Sequence, residues 1–389
     1  MLDEVEDWQA LADDPDSEGV IAALPETPGP GDLEALRRRW SPGVAACAME
    51  VSRARGKAKG KFPSETAAGL WADAAGVEMA SSLRVARHKA ARFAAHSDAV
   101  DLCCGIGGDA IALAEVCGMV LAVDVSPVRA WMTARNARCM AMCAEVEGVG
   151  DPGEGMVAHI DPARRDGQGQ RRIRYDELEP GPEVIEALVG SRPGVAVKLP
   201  PGIDASDPPA GELEWISEGG RLTQAVLWTG SLASDVDRRA TLLVDDAAVS
   251  ITGTGSEAGE CVERLGRWMH TVDPSVERAG LMGVLSQQSG GAMLDPGAGV
   301  LTADDRLAGP LVTAFEVLER LPWSRRRVRA WLSEHDAGIV DVKTRGRVID
   351  ADAEARALRG DGAEPFVVFV QRLTGADAPV EAVITRRAE

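Results

Sequence analysis

Residues Val100 to Gly108, VDLCCGIGG, are the stretch that most limits what this chain can become. A short apolar strand, Ala99 to Leu102, enters a glycine turn, and the apolar run Ile111 to Ala114 continues it as a helix. A second apolar strand, Val120 to Val123, ends on Asp124. This is a strand-turn-helix-strand unit with a turn built for a ligand, because glycine lets a bound group approach backbone that a Cβ would shield. Asp124 falls about 20 residues past the turn, where a carboxylate reaches a ribose diol.

Two cofactor classes satisfy that pattern. Gly105, Gly107 and Ala110 fit a G-x-G-x-x-A dinucleotide fingerprint. Asp101, inside the strand just before the turn, points instead to S-adenosylmethionine (SAM), which has no pyrophosphate for a carboxylate to repel. A dinucleotide pyrophosphate prefers bare N–H groups at a helix N-terminus.

The surrounding pattern predicts an α/β fold. Ser17 to Ala95 reads as helical, with Val85, Ala86, Ala90 and Phe93 near the 3.6-residue period. From Asp98 to Val244, strands at Ala99–Leu102, Val120–Asp124, Met156–Asp161, Val195–Lys198, Glu214–Ser217, Gln224–Thr229 and Ala240–Val244 alternate with helices. Such alternation predicts a doubly wound, mostly parallel sheet with its ligand at the strand carboxyl ends. A helix is expected over Val128–Cys143, leaving room for a short third strand at Glu145–Val149 and a turn at Asp151-Pro152. Beyond Val262 the reading is a helix over Asp273–Leu285, a short strand within Leu294–Asp305, and helices at Ala314–Leu321 and Ser324–His335. Strands follow at Ile339–Lys343, Phe366–Gln371 and Val380–Thr385, with a helix at Ala351–Arg359.

VDLCCGIGGDAIALA, AVDVSPVRA (Ala122–Ala130), IDPARR (Ile160–Arg165), AVKLPPGI (Ala196–Ile203) and ASSLRVARHKAARF (Ala80–Phe93) together resemble the class I SAM-dependent methyltransferases. The closer resemblance is to a bacterial family that carries a C-terminal THUMP-like domain. DLCCGIGG also resembles the DxFCGVGG form of cap trimethylguanosine synthases. The resemblance implies a Rossmann-like catalytic domain at 98–262, preceded by an acidic arm (1–35) and a helical region (36–97). A connecting segment (263–309) and an α+β THUMP-like domain (310–389) follow. It implies SAM held by Asp101, Cys103, Gly105, Gly107, Gly108, Asp109 and Asp124, with Asp151 at the adenine amino group. Asp161, Pro162 and Arg164 stand where related enzymes hold a planar amino group against the methyl donor. Asp161 would orient the acceptor and take its proton, while Arg164 or Arg165 would clamp a phosphate or carboxylate. Lys198, at the end of the fifth strand, would face the substrate. Asp161-Pro162-Ala163-Arg164 also resembles the DPPR of RNA uracil-5-methyltransferases, which need a nucleophilic cysteine; none lies near Ala196–Pro201, so a nitrogen acceptor is preferred.

Composition narrows the partners. Cys47, Cys103, Cys104, Cys117, Cys139, Cys143 and Cys261 show no paired metal spacing and, being odd in number, no disulfide framework. With no membrane-length apolar run and an acidic start, a cytoplasmic location is expected. The net charge of −19 argues against nucleic acid, but its distribution does not. Residues 1–35 hold eleven acids and no base, whereas residues 310–389 hold thirteen of each sign. Basic clusters occur at Arg53–Lys61, at Arg164–Arg174, and at Arg325–Arg329 with Lys343, Arg345 and Arg347. Arg325, Lys343 and Arg345 are therefore candidate contacts to RNA, the partner that a THUMP-like domain implies. Methylation of a small molecule or protein, and an RNA-binding protein that has lost activity, are the alternative readings.

Overall fold

The structure, a computed structural model, describes residues 4–25, 27–146, 155–163, 174–346, 348–374 and 377–388. The chain packs as two compact units, residues 1–213 with 224–235 and residues 214–223 with 236–389.

In the first unit the strands are β1 (Asp98–Leu102), β2 (Met119–Asp124), β3 (Met140–Cys143), β4 (Val157–Ile160) and β5 (Val195–Leu199). β6 (Glu212–Glu218) and β7 (Arg221–Trp228) follow as consecutive strands joined at Gly219 and Gly220, both in the left-handed region, with residues 214–223 of the pair assigned to the second unit. The order within this unit is β3-β2-β1-β4-β5-β7. The first five are mutually parallel, and β7 runs antiparallel to β5 with Trp228 opposite Ala196. Parallel pairing requires crossovers, and the helices Gly108–Val116, Pro127–Ala137 and Pro182–Ser191 supply them. The carboxyl ends of β1, β2 and β4 therefore open at one edge, as a doubly wound sheet requires.

The helix expected over Val128–Cys143 stops at Ala137, where Arg138 turns left-handed (φ 52°), and Met140–Cys143 is the third strand. Met140 and Met142 are good helix formers, which hid a four-residue strand in a helical run. The acidic stretch 1–35 is not a loose arm, since helices at Val5–Asp13, Ser17–Ala22 and Pro30–Leu36 bury Trp8, Leu11, Ile21 and Leu36. Asp14 draws in Arg39 and the Trp40 indole N–H (2.8 Å), and these hydrogen bonds hold its carboxyl down at about 2. The helical region joins the sheet unit through the Arg92 guanidinium, which makes a bidentate pair with the fully buried Glu212 (2.6 and 2.7 Å) and lies 4.3 Å from the Trp228 ring.

In the second unit β8 (Arg238–Val244) and β9 (Ala247–Gly253) form an antiparallel hairpin. The remaining strands are β10 (Trp268–Val272), β11 (Ala292–Met293), β12 (Val300–Ala303), β13 (Val312–Pro322), β14 (Ala337–Thr344), β15 (Glu364–Gln371) and β16 (Glu381–Arg387). They form one sheet, ordered β11-β12-β10-β13-β16-β15-β14. Helices Arg325–Glu334 and Ala351–Leu358 supply Val328, Leu332 and Leu358 to a core with Phe366, Val368 and Ile384. Two expectations are corrected here. Residues 263–309 are not a connector: β10 to β12 belong to the same sheet as β13, and strands of two to five residues are too short to show a period. Ala314–Leu321 is not a helix but part of β13. Ala314, Phe315, Val317, Leu318 and Leu321 mimic helical spacing because a bulge at Val317/Glu319 shifts the alternation.

Removing Arg92 would strand Glu212 as a buried, undercompensated charge. Arg92→Met is expected to destabilise the protein by about 3–5 kcal/mol, read as a lowered denaturant midpoint of the full chain.

Candidate active site

The glycine turn has the conformation its sequence demands. Cys103, Gly105 and Gly107 have φ of 56°, 58° and 85°, and Gly107 caps the helix that starts at Gly108. A Cβ on Gly105 would meet nothing within 4 Å, so the turn faces open space there. A Cβ on Gly107 would lie 3.1 Å from Thr133, whose hydroxyl donates to the Gly105 carbonyl at 2.9 Å. Asn136 stitches the turn to the helical region, donating to the carbonyls of Ile106 and Trp71 at 2.8 Å each.

Asp124, at the end of β2, accepts the Gly105 N–H on Oδ2 and the Ser126 N–H on Oδ1, both at 2.9 Å. Those bonds orient the carboxylate and leave one lone pair per oxygen for a diol. Burial raises its pKa above the ordinary carboxylate range, against these two hydrogen bonds and Arg129, and the charge of Asp161 raises it further. Asp124 and Asp161 thus share one electrostatic neighbourhood.

Asp101 is 1% exposed on β1, directly opposite His159 in the β1–β4 register. His159 Nδ1 lies 2.7 Å from Asp101 Oδ1, and its Nε2 lies 3.0 Å from Lys89 Nζ. A charged Lys89 can only donate, so Nε2 accepts and the Nδ1 proton goes to Asp101. Asp101 Oδ2 is buried without a hydrogen-bond partner, and burial raises the pKa of this carboxyl. Lys89 also pairs with Asp109 Oδ1 at 2.7 Å, and Ser81 donates to Asp109 Oδ2 at 3.0 Å. Burial, the largest influence on Asp109, raises its pKa, but the nearby cations, Lys89 first and Lys198 with it, pull the other way and hold the carboxyl ionised. Asp109 therefore faces the helical region.

Asp161 follows β4, two residues beyond His159 and on the same sheet face. Its Oδ2 lies 2.5 Å from the Nζ of Lys198, which is almost fully buried in β5, and its N–H donates to the Leu102 carbonyl. The structure thus brings Asp101, the glycine turn, Asp124, Asp161 and Lys198 to one edge of the sheet, with Pro162 adjoining Asp161. Asp151, Arg164 and Arg165 lie outside the described residues. In the second unit, Arg325 makes a bidentate pair with Glu354 (2.7 and 2.5 Å) and Arg345 pairs with Glu277 at 2.8 Å, while Lys343 is exposed. Sequence reasoning does not single out Lys89, and it gives His159 no role by turning its side chain away from the neighbours of Asp161. The available signal was the i, i+2 spacing of His159 and Asp161, which places both side chains on one face.

The pocket fits SAM by its donor set. An unpartnered carboxylate oxygen on Asp101 suits a cationic ammonium, oriented carboxylate lone pairs on Asp124 suit ribose hydroxyls, and the open face at Gly105 leaves room for the ligand.

Comparison with known proteins agrees. Residues 312–387 match the THUMP domain-like family, and residues 97–154 match the RNA cap guanine-N2 methyltransferase family. An uncharacterized S-adenosylmethionine-dependent methyltransferase of Mycobacterium tuberculosis CDC 1551 is 34% identical over 322 residues, covering 80% of this chain and 87% of the relative. Its counterpart in strain H37Rv gives the same figures. A crystal structure of a proposed methyltransferase from Porphyromonas gingivalis W83 shares the fold, with a TM-score of 0.71 at 15% identity over 92% of this chain and 99% of that one. The chain belongs to the class I S-adenosylmethionine-dependent methyltransferases and carries a THUMP-like domain at its C-terminal end.

Proposed function

We propose that this methyltransferase modifies a nitrogen on structured RNA, with Asp161 as the acceptor-side group. The observation that carries the reading is Asp161 itself: a carboxylate at the mouth of β4, held by Lys198, within electrostatic reach of the ribose-binding Asp124. The bound donor supplies an electrophilic methyl on a sulfonium. Asp101, the Gly105 turn and Asp124 would hold it, and the protein's chief task is alignment, worth about 7–11 kcal/mol at best. Asp161 would accept a hydrogen bond from the acceptor N–H and then its proton.

RNA is supported by the two family matches and by the second unit. There Arg326, Arg327 and Arg329 stand exposed along the helix Arg325–Glu334, beside the paired Arg325. Of the candidate contacts Arg325 and Arg345 already hold carboxylates, so Lys343 and these three arginines are the better placed for phosphate.

A nitrogen acceptor needs no covalent activation of a ring carbon by a thiolate, and burial keeps Cys104 and Cys139 protonated, Cys139 being pushed up to about 11.

Asp124→Ala is expected to weaken SAM binding roughly 10- to 150-fold in calorimetry, the loss of about 1.5–3 kcal/mol that hydrogen bonds to a charged group carry. In the unaltered protein, affinity falls as pH drops through the raised Asp124 pKa, because only the ionised form accepts both hydroxyls. Asp161→Ala is expected to leave SAM binding intact and to slow radiolabelled methyl transfer into total cellular RNA by about 10²–10⁴-fold; an unchanged rate removes Asp161 from the reaction. Replacing Arg326, Arg327 and Arg329 together with alanine in the full chain should weaken RNA binding and flatten its salt dependence by about one unit of slope for each phosphate that is no longer neutralised.

A further inference from the structure

Lys198 is the least expected side chain in the catalytic unit. β5 is buried along its whole length, and a lysine in such a strand ordinarily carries its ammonium out to water. This one stays 1% exposed and spans two elements: Nζ is 2.5 Å from Asp161 Oδ2 and 3.5 Å from the Met79 carbonyl at the end of the helix Ala74–Met79. Asp161 Oδ1 takes no hydrogen bond from the described residues.

The segment that carries Met79 is rigidly placed. Lys61 Nζ donates to the carbonyls of Val77, Glu78 and Ala80 at 2.9, 2.7 and 2.8 Å. A Cβ on Gly76 would strike Ile106 of the glycine turn at 2.4 Å, and one on Gly108 would lie 3.1 Å from the Ala80 Cβ. Residues 76–81 therefore pack directly against the cofactor turn, and from them Met79 presents a side chain that is 52% exposed. A thioether chain is a flexible apolar surface, able to follow the face of a flat ring.

We propose that Lys198 and Met79 complete the acceptor subsite. Lys198 is a positioning residue whose ammonium occupies Asp161 Oδ2, so that Oδ1 alone meets the acceptor. Met79 is the apolar wall that the acceptor ring lies against. The ligand class is a planar ring bearing an N–H at its edge. In the step served, the N–CH3 bond forms as the S–CH3 bond breaks and its electron pair stays on sulfur; the acceptor proton passes to Asp161 Oδ1 and on to water. The assignment rests on Asp161 being the acceptor-side group.

The test uses the full-length protein, radiolabelled SAM and cellular extract fractionated into RNA, protein and metabolites, with kinetics in whichever fraction takes label. Lys198→Met is expected to lower kcat by about 10²-fold, as misplacing a reacting group by about 1 Å does, with SAM affinity unchanged. Lys198→Arg recovers part of the loss. Met79→Ala raises the acceptor KM severalfold and changes kcat less. A parental kcat in Lys198→Met overturns the proposal, as does a loss matched by SAM affinity that Lys198→Arg fails to recover. Should Lys198→Met not fold, unaltered kinetics in both Lys198→Arg and Met79→Ala overturn it. Label in protein or metabolites removes the RNA reading while the comparison proceeds in that fraction, and label in none overturns both.

Discussion

One face of the β1–β4–β5 sheet carries charge where a doubly wound sheet ordinarily carries aliphatic side chains. Asp101 and His159 are register partners, Asp161 and Lys198 stand one step further along the same face, and all but Asp161 are almost wholly buried. Removing such groups from water costs several kcal/mol each, so the face is stable only if opposite charges and hydrogen bonds are delivered to it. Within the strands, Lys198 answers Asp161. The answer to Asp109 and His159 comes from outside the sheet, as Lys89 on the helix Leu83–Ala90.

That dependence decides what the helical region is for. Were Lys89 absent, Asp109 would be a buried carboxylate in the first turn of the helix that opens at the glycine loop, and the loop's geometry would lose its footing. The same region supplies Arg92 to Glu212, Trp71 to Asn136, and the Gly76–Ser81 wall to the cofactor turn. Residues 36–97 are thus one folding unit with the sheet, and the catalytic domain begins well before β1.

How much of this the sequence disclosed follows the range of the interactions involved. β1, the glycine turn and β2 were legible because a short apolar strand, a tight turn and a strand-terminal acid are local requirements. Asp124 was placed by the same local spacing. Beyond the i, i+2 spacing of His159 and Asp161, the roles of His159 and Lys89 were not legible, since their partners lie 58 and 20 residues away, Asp101 and Asp109, which only the parallel register and the packing of a helix bring close. β13 was misread because apolar residues on both faces of a bulged, centrally paired strand reproduce the spacing of an amphipathic helix. The acidic start of the chain reads as an arm from its charge, although Trp8 and Leu11, three residues apart, already mark a helix with one buried face.

The charge balance of the two units separates binding from chemistry. In the catalytic unit, the carboxylates of the site are either compensated internally, as Asp109 and Asp161 are, or left with an oxygen that calls for a cationic or hydroxylic ligand, as Asp101 and Asp124 are. A cationic methyl donor meets that demand, and it loses its sulfonium charge on transfer, so attraction to the site weakens once the methyl has left. A polyanionic acceptor gains nothing from the same carboxylates, and with a net charge of −19 the chain as a whole repels it. Under the proposed RNA reading, capture would then rest on exposed cations, such as Arg326, Arg327, Arg329 and Lys343 of the second unit. An enzyme with this distribution would hold its donor by buried acid and the proposed RNA acceptor by surface base, which would give a methyltransferase sheet and a THUMP-like unit a physical reason to share one chain.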